Sequence, residues 1–301
     1  MREGEYRGMR AWFAHIPDVL TGKRDDCANI LLVNGERRLK TRLPESGTYR
    51  MESVPDINFS AGPVNAFTEM DTFVCAEGHI QDWHDLQNVE VVVLHYWQEE
   101  RLPIVRFDPA TRMVVAAKKS GMAFNDDFTP QYSRYYVENV KEALCKPGQW
   151  YLDKKCGELI YLPLENEVLE SMTVMLPSLE CGVVATGVQN ISFEGLSWNG
   201  FDRKALSCAS TGQSANAAER AVIELTDCRN IAIRNCTITN AENYGISVKS
   251  GCRNILTDHC EIAHMGAGGV RINGAHKCVD QRMEQCLCGT LAAMALFSSE
   301  S

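Results

Sequence analysis

Short apolar runs separated by polar turn residues cover most of the chain, a pattern typical of β-strands. In ILLVNGERRLKTRLP, Asn34-Gly35 separates two strand-like runs, which predicts a hairpin. WYLDKKCGELIYLPL predicts a second hairpin with Lys154 to Gly157 as its loop, and LPIVRFDPATRMVVAAK predicts two strands around Asp108 to Thr111. VEVVVLHYW, from Val89 to Trp97, has the composition of a buried strand. Residues 29 to 163 are therefore expected to be mainly antiparallel β.

A repeat begins near Leu179. NISFEGLSW, NIAIRNCTI and NILTDHCEI align without gaps from Asn190, Asn230 and Asn254. Each Asn is followed by apolar residues at the same offsets, as in the series Ile191, Ile231, Ile255; Leu196, Cys236, Cys260; and Trp198, Ile238, Ile262. The step between the last two segments is 24 residues, and the 40-residue step before it indicates an inserted loop, GFDRKALSCASTGQSANAAER. A fixed period of this size is the signature of a stacked repeat.

Pairs of cysteines give a second measure of the same period. Cys228 and Cys236, Cys252 and Cys260, and Cys278 and Cys286 are each eight residues apart. Stacked coils would superpose these positions at the strand spacing and build ladders of Ile, Cys and Trp into one core, with Asn ladders at the turns. The dense L-x-x-L-x-L frame of a leucine-rich repeat, the competing architecture, is absent. The repeat therefore predicts a parallel β-helix.

These patterns predict a four-part organisation. We expect an irregular N-terminal segment over 1–28, a compact and mainly antiparallel β domain over 29–163, right-handed parallel β-helix coils over 164–290 and a tail over 291–301; the resemblance described below implies that the second part is an inserted β-sandwich-like domain. The fold class is all-β. Tyr132 to Leu144 is the best helix candidate, although its helical pattern is modest.

Composition changes this picture little. The net charge of −9 argues against nucleic acid as a partner, and the longest apolar runs are too short to span a bilayer. The thirteen cysteines are scattered without a CxxC pair, so core packing of free thiols is favoured over disulfides or a metal site. No cofactor is indicated.

The coils resemble the right-handed β-helix superfamily, which includes pectin lyases and several glycoside hydrolases. LLVNGERRLKTRLP, VEVVVLHYW, LPIVRFDP and above all PGQWYLDKKCGELIYLP resemble bacterial β-helix glycosidases of the β-xylosidase and α-fucosidase/xylanase kinds. That resemblance implies a β-sandwich-like domain inserted into the helix, a plant-type polysaccharide or oligosaccharide as partner, and a secreted or periplasmic setting. It covers about residues 29 to 274, whereas family members extend further at both ends. We therefore expect a truncated member, and MREGEYRGMRAWF lacks the apolar core of a signal peptide.

Glycoside hydrolysis needs two carboxyl groups flanking the scissile bond. Asp258 should face outward, with Glu284 at the equivalent position of the next coil and Arg234 at that of the previous one. Asp258 and Glu284 are therefore the candidate catalytic pair. The alternative is a surface charge ladder in which Arg234 pairs with Asp258.

The candidate substrate-binding residues are Glu242 and His264, at the turns of adjacent coils, and Arg271. Turn capping is the alternative for the first two. Arg271 would neutralise an acidic sugar or act as the base of a lyase, but the acidic calcium cluster of a pectate lyase is not found. Aromatic residues of the first domain would form either its core or a sugar platform, namely Trp83, Trp97 and Trp150. A glycoside hydrolase and a non-catalytic carbohydrate-binding or scaffold module both remain open.

Overall fold

The computed structural model describes residues 1–17, 28–95, 98–126, 130–203 and 220–273, and the backbone of 281–284 and 287–288. The chain divides into two compact units. The antiparallel unit holds the described residues of Met1–Arg24 and Arg38–Met172, and the coil unit holds those of Asp25–Arg37, Thr173–Ala205 and Ala218–Ser301.

The described elements are strands and four short 3-10 helices. The first strands are β1 (Arg2–Tyr6), β2 (Met9–His15), β3 (Leu31–Val33), β4 (Glu36–Lys40), β5 (Arg42–Leu43), β6 (Tyr49–Ser53), β7 (Met70–Cys75), β8 (Glu90–Leu94), β9 (Glu99–Asp108), β10 (Met113–Ser120), β11 (Arg134–Glu138), β12 (Gln149–Asp153) and β13 (Glu158–Tyr161). The remaining strands are β14 (Val174–Met175), β15 (Val183–Thr186), β16 (Gln189–Glu194), β17 (Ser197–Phe201), β18 (Ala221–Thr226), β19 (Arg229–Arg234), β20 (Thr237–Ala241), β21 (Tyr244–Lys249), β22 (Arg253–Asp258), β23 (Glu261–Met265), β24 (Gly268–Asn273), β25 (Gln281–Glu284) and β26 (Leu287–Cys288). The 3-10 helices are Phe59–Ala61, Leu86–Asn88, Lys141–Ala143 and Leu169–Ser171.

The antiparallel unit contains two sheets. In one, β1, β2, β13 and β12 follow each other as antiparallel neighbours, and the end of β4 pairs parallel to β12. The other has the order β5-β11-β6-β7-β10-β9-β8, and β11 also pairs with β8. That additional pairing makes the second sheet barrel-like rather than sandwich-like, because its strands return to their starting neighbour. Rings of Phe73, Phe124 and Tyr135 pack at its core.

The coil unit contains three sheets of parallel strands, with one strand from each successive coil. They are the first coil sheet (β15, β18, β21, β24), the second coil sheet (β16, β19, β22, β25) and the third coil sheet (β17, β20, β23, β26). The expected register is confirmed: Ile191 pairs with Ile231 and Ile231 with Ile255. The inward side chains of all three sheets form one buried apolar cluster.

The asparagine ladder is also confirmed. Asn190, Asn230 and Asn254 have φ of 59°, 53° and 54°, the left-handed conformation that asparagine tolerates better than most residues. The Asn230 Nδ2 donates to Asn190 Oδ1, and the Asn254 Nδ2 donates to Asn230 Oδ1, each at 2.8 Å. The side chains thus satisfy one another from coil to coil.

Both predicted hairpins are present. Asn34 and Gly35 have φ of 53° and 78° between the hydrogen-bonded neighbours β3 and β4, as a two-residue hairpin turn requires. β12 and β13 flank Lys154 to Gly157 in antiparallel register. The strands predicted around Asp108 to Thr111 are β9 and β10, and the run from Val89 contains β8.

Two expectations are wrong. The described part of segment 1–28 is not irregular, because β1 and β2 form a hairpin and β2 pairs with β13. Tyr132 to Leu144 contains β11 and a 3-10 helix, since pairing with β6 and β8 overrides its weak helical pattern. The domain boundaries expected at 29 and 163 stay a prediction, and the compact units divide after Arg37 and Met172. The inserted loop falls largely on 204–219, and the tail on 291–301, outside the described residues.

A buried carboxylate explains why the segment before β3 belongs to the coil unit. Asp202 accepts hydrogen bonds from the backbone N–H of Ala28 at 2.6 Å and of Asn29 at 2.9 Å, and from Asn29 Nδ2 at 2.8 Å. β3 pairs with β14 in the same unit. Because donors supplied by distant chain segments satisfy the buried charge, Asp202 fixes residues 28–29 beside the third coil sheet.

Candidate functional site

The predicted pair lies on the second coil sheet. Register places Asp258 opposite Arg234 on one side and opposite Glu284 on the other. The Asp258 carboxylate lies 2.5 Å from His259 Nδ1 and 4.0 Å from Arg234 Nε. The Glu284 side chain lies outside the described residues. The described contacts of Asp258 are therefore those of a surface charge ladder, and only the backbone pairs it with Glu284.

Glu242 lies in the turn between β20 and β21, where it is largely buried. Its carboxylate pairs with Arg37 and, at 3.3 Å, with Arg203 Nε. Gly266, in the turn of the next coil, lies so close to the Glu242 backbone that a Cβ would collide with it. The two arginines come from chain segments far apart in sequence, so Glu242 links three parts of the coil unit through its charge.

His264 occupies a strained corner of the third coil sheet. It has φ of 60°, and register places it at the position of Asn240 in the previous coil. Asn240, with φ of 55°, donates to Asn199 Oδ1 and to the Gly35 carbonyl, each at 2.9 Å. His264 is exposed. His264 thus has a left-handed backbone conformation within β23, two residues before Gly266, and its role stays a prediction.

Arg271 lies on the outer face of the first coil sheet. Its register partner is Ser247, whose partner in the previous coil is Glu224. The Arg271 guanidinium carbon is 5.4 Å from the centroid of the Tyr244 ring, a cation–π contact. The structure therefore groups Arg271 with residues of β18 and β21 that were not among the sequence candidates.

Glu224 is the most enclosed of these residues. It accepts from Lys249 Nζ at 2.8 Å, from the Ala221 N–H at 3.1 Å and from Cys181 Sγ at 3.2 Å, and Arg220 Nε lies 3.3 Å away. Burial opposes its ionisation, but the hydrogen bonds from Lys249 and Cys181 outweigh burial and hold the pKa of Glu224 below its usual value. The site thus contains a fixed negative charge.

The pKa of Cys181 is shifted upward, opposite to the shift of Glu224. Burial and the hydrogen bond to the Glu224 carboxylate raise the pKa of its thiol to about 11. The thiol therefore stays protonated at neutral pH and serves as a donor rather than a nucleophile.

Glu224 was not among the predicted site residues, because the aligned repeat segments lie in the second and third coil sheets and Glu224 lies in the first. One signal was available: AVIELT is an apolar run interrupted by a single carboxylate. A charged residue in such a run needs a partner when it is buried.

Other expectations concern the cores. Trp83 and Trp150 are buried, so they lie in the core of the antiparallel unit rather than on a sugar platform; Trp97 lies outside the described residues. Cys228, Cys236, Cys252 and Cys260 are buried in the coil core, as predicted, and none of these four is in a disulfide. Within the described ranges, no group of three or more His, Cys, Asp and Glu residues could hold a metal ion.

Comparisons with known proteins agree with this fold. The family model described as "Right handed beta helix region" matches residues 220–287. A solved structure titled "Glycoside hydrolase" is similar with a TM-score of 0.68 at 14% identity, over 95% of this chain and 57% of that chain. This chain thus spans little more than half of that structure, and at this identity the likeness shows the fold alone. No curated protein sequence matches the chain.

In the part of the chain that the structure describes, no helix has the length and hydropathy needed to cross a membrane.

Proposed function

We propose that this chain is a carbohydrate-active protein of the glycoside hydrolase type, acting on a plant-type polysaccharide or oligosaccharide. In this proposal the coil unit is a right-handed parallel β-helix. Residues Arg38–Met172 of the antiparallel unit are a β domain inserted between β3 and β14, and the N-terminal hairpin of β1 and β2 completes that unit. The fold likeness to a structure titled "Glycoside hydrolase" supports the class of protein. The family match over 220–287 supports the handedness of the coils.

One observation carries the catalytic part of the proposal. β22 and β25 are parallel neighbours, and Asp258 pairs directly with Glu284. In-register residues of neighbouring strands lie about 4.8 Å apart. Retaining glycosidases hold their two carboxyl groups about 5 Å apart. One residue of this pair would protonate the leaving oxygen, and the other would attack the anomeric carbon or activate water.

Hydrolysis of aryl glycosides tests the pair. The parent chain is assayed on xylosides, fucosides, arabinosides and galactosides, together with Asp258→Asn and Glu284→Gln. Each substitution should lower turnover at least about 100-fold, because it removes an acid, base or nucleophile. Glu194→Gln is the matched control, since Glu194 occupies the same ladder position two strands before Asp258. Parent-like rates in both test variants would eliminate the pair.

A second candidate is a non-catalytic carbohydrate-binding or scaffold module. It is favoured by the contacts of Asp258 with His259 and Arg234, which lie at the surface and are typical of an exposed charge ladder. Binding of oligosaccharides in calorimetric titration without turnover of any glycoside would select this candidate. Turnover that Asp258→Asn abolishes would exclude it.

A further inference from the structure

A cleft lies in the antiparallel unit, between the loop that follows β7 and the turn that joins β9 to β10. Its volume is about 530 Å³, within the range of about 300 to 1,000 Å³ that is usual for small-molecule sites. Its lining includes Glu77, Ile80, Asp82, Phe107, Pro109 and Arg112. The cleft is therefore large enough for a small ligand and offers it both apolar and charged surface.

The turn between β9 and β10 forms one wall of the cleft, and Asp108 holds its shape. The Asp108 carboxylate accepts hydrogen bonds from the Ala110 N–H at 3.0 Å and from Thr111 Oγ1 at 2.7 Å. The Cys75 N–H donates to the Arg112 carbonyl at 3.1 Å, so the end of the turn is attached to β7. These bonds preform this wall, as is usual for ligand sites.

The loop after β7 forms the other wall, and its middle is anchored in the core. Ile80 is only 3% exposed and belongs to the core of the unit. The His79 ring stacks on the Tyr49 ring with centroids 3.8 Å apart, and His79 Nδ1 lies 3.2 Å from the Tyr135 hydroxyl. Both walls are thus fixed by the antiparallel unit itself.

Phe107 gives the cleft an aromatic surface. Its side chain is half-buried and packs against the same core as Ile80, while Pro109 adds an exposed apolar ring beside it. An aromatic ring that is held on one side and open on the other can pack against the apolar face of a sugar. Phe107 therefore suits the apolar half of a sugar ligand.

The rim of the cleft carries hydrogen-bonding groups of both kinds. Glu77 and Asp82 are exposed, and within the described ranges no side chain forms a hydrogen bond or ion pair with either of them. Arg112 donates from Nη1 and Nη2 to the two carboxylate oxygens of Glu52, each at 2.7 Å. A guanidinium has five N–H donors, so this ion pair orients Arg112 and leaves three donors unused.

The charges of the rim select an uncharged ligand. Glu52 neutralises Arg112, so Glu77 and Asp82 give the cleft a negative excess, which disfavours an acidic sugar. A hydroxyl group both donates and accepts hydrogen bonds. Neighbouring hydroxyls of a neutral sugar can therefore donate to the two carboxylates and accept from the guanidinium.

We propose that this cleft binds an uncharged sugar unit, with the Phe107 ring against its apolar face, Glu77 and Asp82 as acceptors of its hydroxyls and Arg112 as a donor. The proposal rests on the proposed carbohydrate function and adds to it a second, non-catalytic binding site in the antiparallel unit.

Two measurements on the full chain test the cleft with xylotetraose, arabinotetraose and galactotetraose. Titration calorimetry should show binding of at least one of them. Hydrogen exchange followed by mass spectrometry, with the tightest of the three, should show protection of residues 77–82 and 107–112, because a bound sugar restricts both walls of the cleft.

Substitutions in the cleft should weaken this binding. Phe107→Ala removes the aromatic surface and should lower the affinity about tenfold. Because Phe107 also contacts the core, Glu77→Ala and Asp82→Ala give a second test at exposed positions, and each should lower the affinity about tenfold through a lost charge-assisted hydrogen bond. Near-ultraviolet circular dichroism confirms that each variant is folded.

Phe67→Ala and Glu165→Ala are the matched controls. Each removes an exposed side chain of the same type that does not line the cleft, so the affinity should stay at the parent value. Equal losses in the control and cleft variants would overturn the site. A xylo-oligosaccharide with a glucuronic acid branch at the bound unit should bind more weakly than the unbranched chain, and tighter binding would contradict the selection of an uncharged sugar.

The outcomes separate the two proposals. Sugar binding that protects the coil unit alone would overturn the cleft and leave the proposed carbohydrate function standing, as would hydrolysis of a glycoside by a chain that binds none of the three oligosaccharides in the cleft. Failure of the parent chain to bind any oligosaccharide and to hydrolyse any glycoside would overturn both.

Discussion

In the coil unit, an inward-facing apolar residue of one strand lies in register with an inward-facing apolar residue of the next coil. In the antiparallel unit, the buried residues form contacts that neighbouring strands do not repeat. Ile238 pairs with Trp198 and with Ile262, so three residues of one ladder share one environment. Tyr135, by contrast, packs against Phe73 and Tyr49 in a combination that no neighbouring strand repeats. The coil core is thus a stack of similar layers, and the antiparallel core is a single set of unlike contacts.

This difference decides how each unit responds to damage. In a stacked repeat, each layer is one coil and contacts only the coils beside it. The free energy of unfolding is therefore close to a sum of contributions from single coils and from the interfaces between adjacent coils. In a sheet whose strands return to their starting neighbour, one strand contributes to several pairings at once: β11 pairs with β5, β6 and β8. We therefore expect local effects in the coil unit and more widely distributed effects in the antiparallel unit.

The largest expected effect is that of Ile238→Ala in the coil core. Ile238 is completely buried, and the cavity should lower the free energy of unfolding of the coil unit by about 3 kcal/mol. Hydrogen exchange followed by mass spectrometry should show the loss in β17, β20 and β23. Thr237→Ala, which removes a half-buried side chain on the opposite face of the same strand, is the control and should change little. An equal loss in β24, which lies two coils away from β20, would contradict the layered description.

A buried carboxylate in the antiparallel unit gives an intermediate effect that depends on pH. Burial opposes ionisation of Glu100, but hydrogen bonds from His95 and Ser120 outweigh it and hold the pKa of Glu100 below its usual value. A depressed folded-state pKa stabilises above the unfolded-state pKa, and this stability is lost as pH falls through the folded-state value.

Glu100→Gln tests this linkage. At pH 7 it should lower the free energy of unfolding of the antiparallel unit by about 2 kcal/mol, because hydrogen bonds to a charged acceptor are lost. Below the folded-state pKa the parent carboxyl is itself protonated, so the two proteins should approach equal stability. Urea unfolding between pH 7 and pH 3 measures the difference. A difference that stays constant over this range would contradict the assignment.

The smallest expected effect concerns the asparagine ladder. Asn230→Ala should cost about 1 kcal/mol, because it breaks two exposed hydrogen bonds and places a less tolerant residue at φ of 53°. Asn230→Gly should cost less, since glycine adopts that conformation without strain. Thermal unfolding measures the loss of stability in each of the two variants. Both variants lose the same two hydrogen bonds, so a larger loss with glycine than with alanine would contradict a cost from the left-handed backbone conformation at position 230.

The repeat explains why much of the coil unit could be predicted. Asn190, Asn230 and Asn254 fixed the register, and Cys228, Cys236, Cys252 and Cys260 were assigned to the core. Periodicity is a local property that alternates side chains between two faces, so the period gives both the stacking and the inward set. The hairpins at Asn34-Gly35 and Lys154 to Gly157 were predictable for a similar reason, because turn residues act through their own backbone conformation.

Contacts between segments that are distant in the chain could not be predicted from periodicity or turn residues. Pairing of β2 with β13 joins residues nearly 150 positions apart. The sequence of β2, MRAWFAH, does not predict which strand it pairs with. The same holds for the candidate sites: Asp258 and Glu284 followed from the repeat, while the grouping of Cys181, Arg220 and Glu224 did not. Ionic and hydrogen-bonding partners are specified by three-dimensional proximity rather than by spacing.

The repeat thus predicted the coil period and the positions that face the coil core, and the turn residues predicted two hairpins, whereas the strands β1, β2 and β11 were not predicted. The tertiary structure decided which strands of the antiparallel unit are neighbours, that Asp202 fixes residues 28–29, and that Glu224 collects cations on the first coil sheet. The physical reason is that burial of one face of a strand produces a periodic alternation of apolar and polar residues in the sequence. A buried charge produces no such pattern, because its hydrogen-bond donors can come from any segment that the fold brings close.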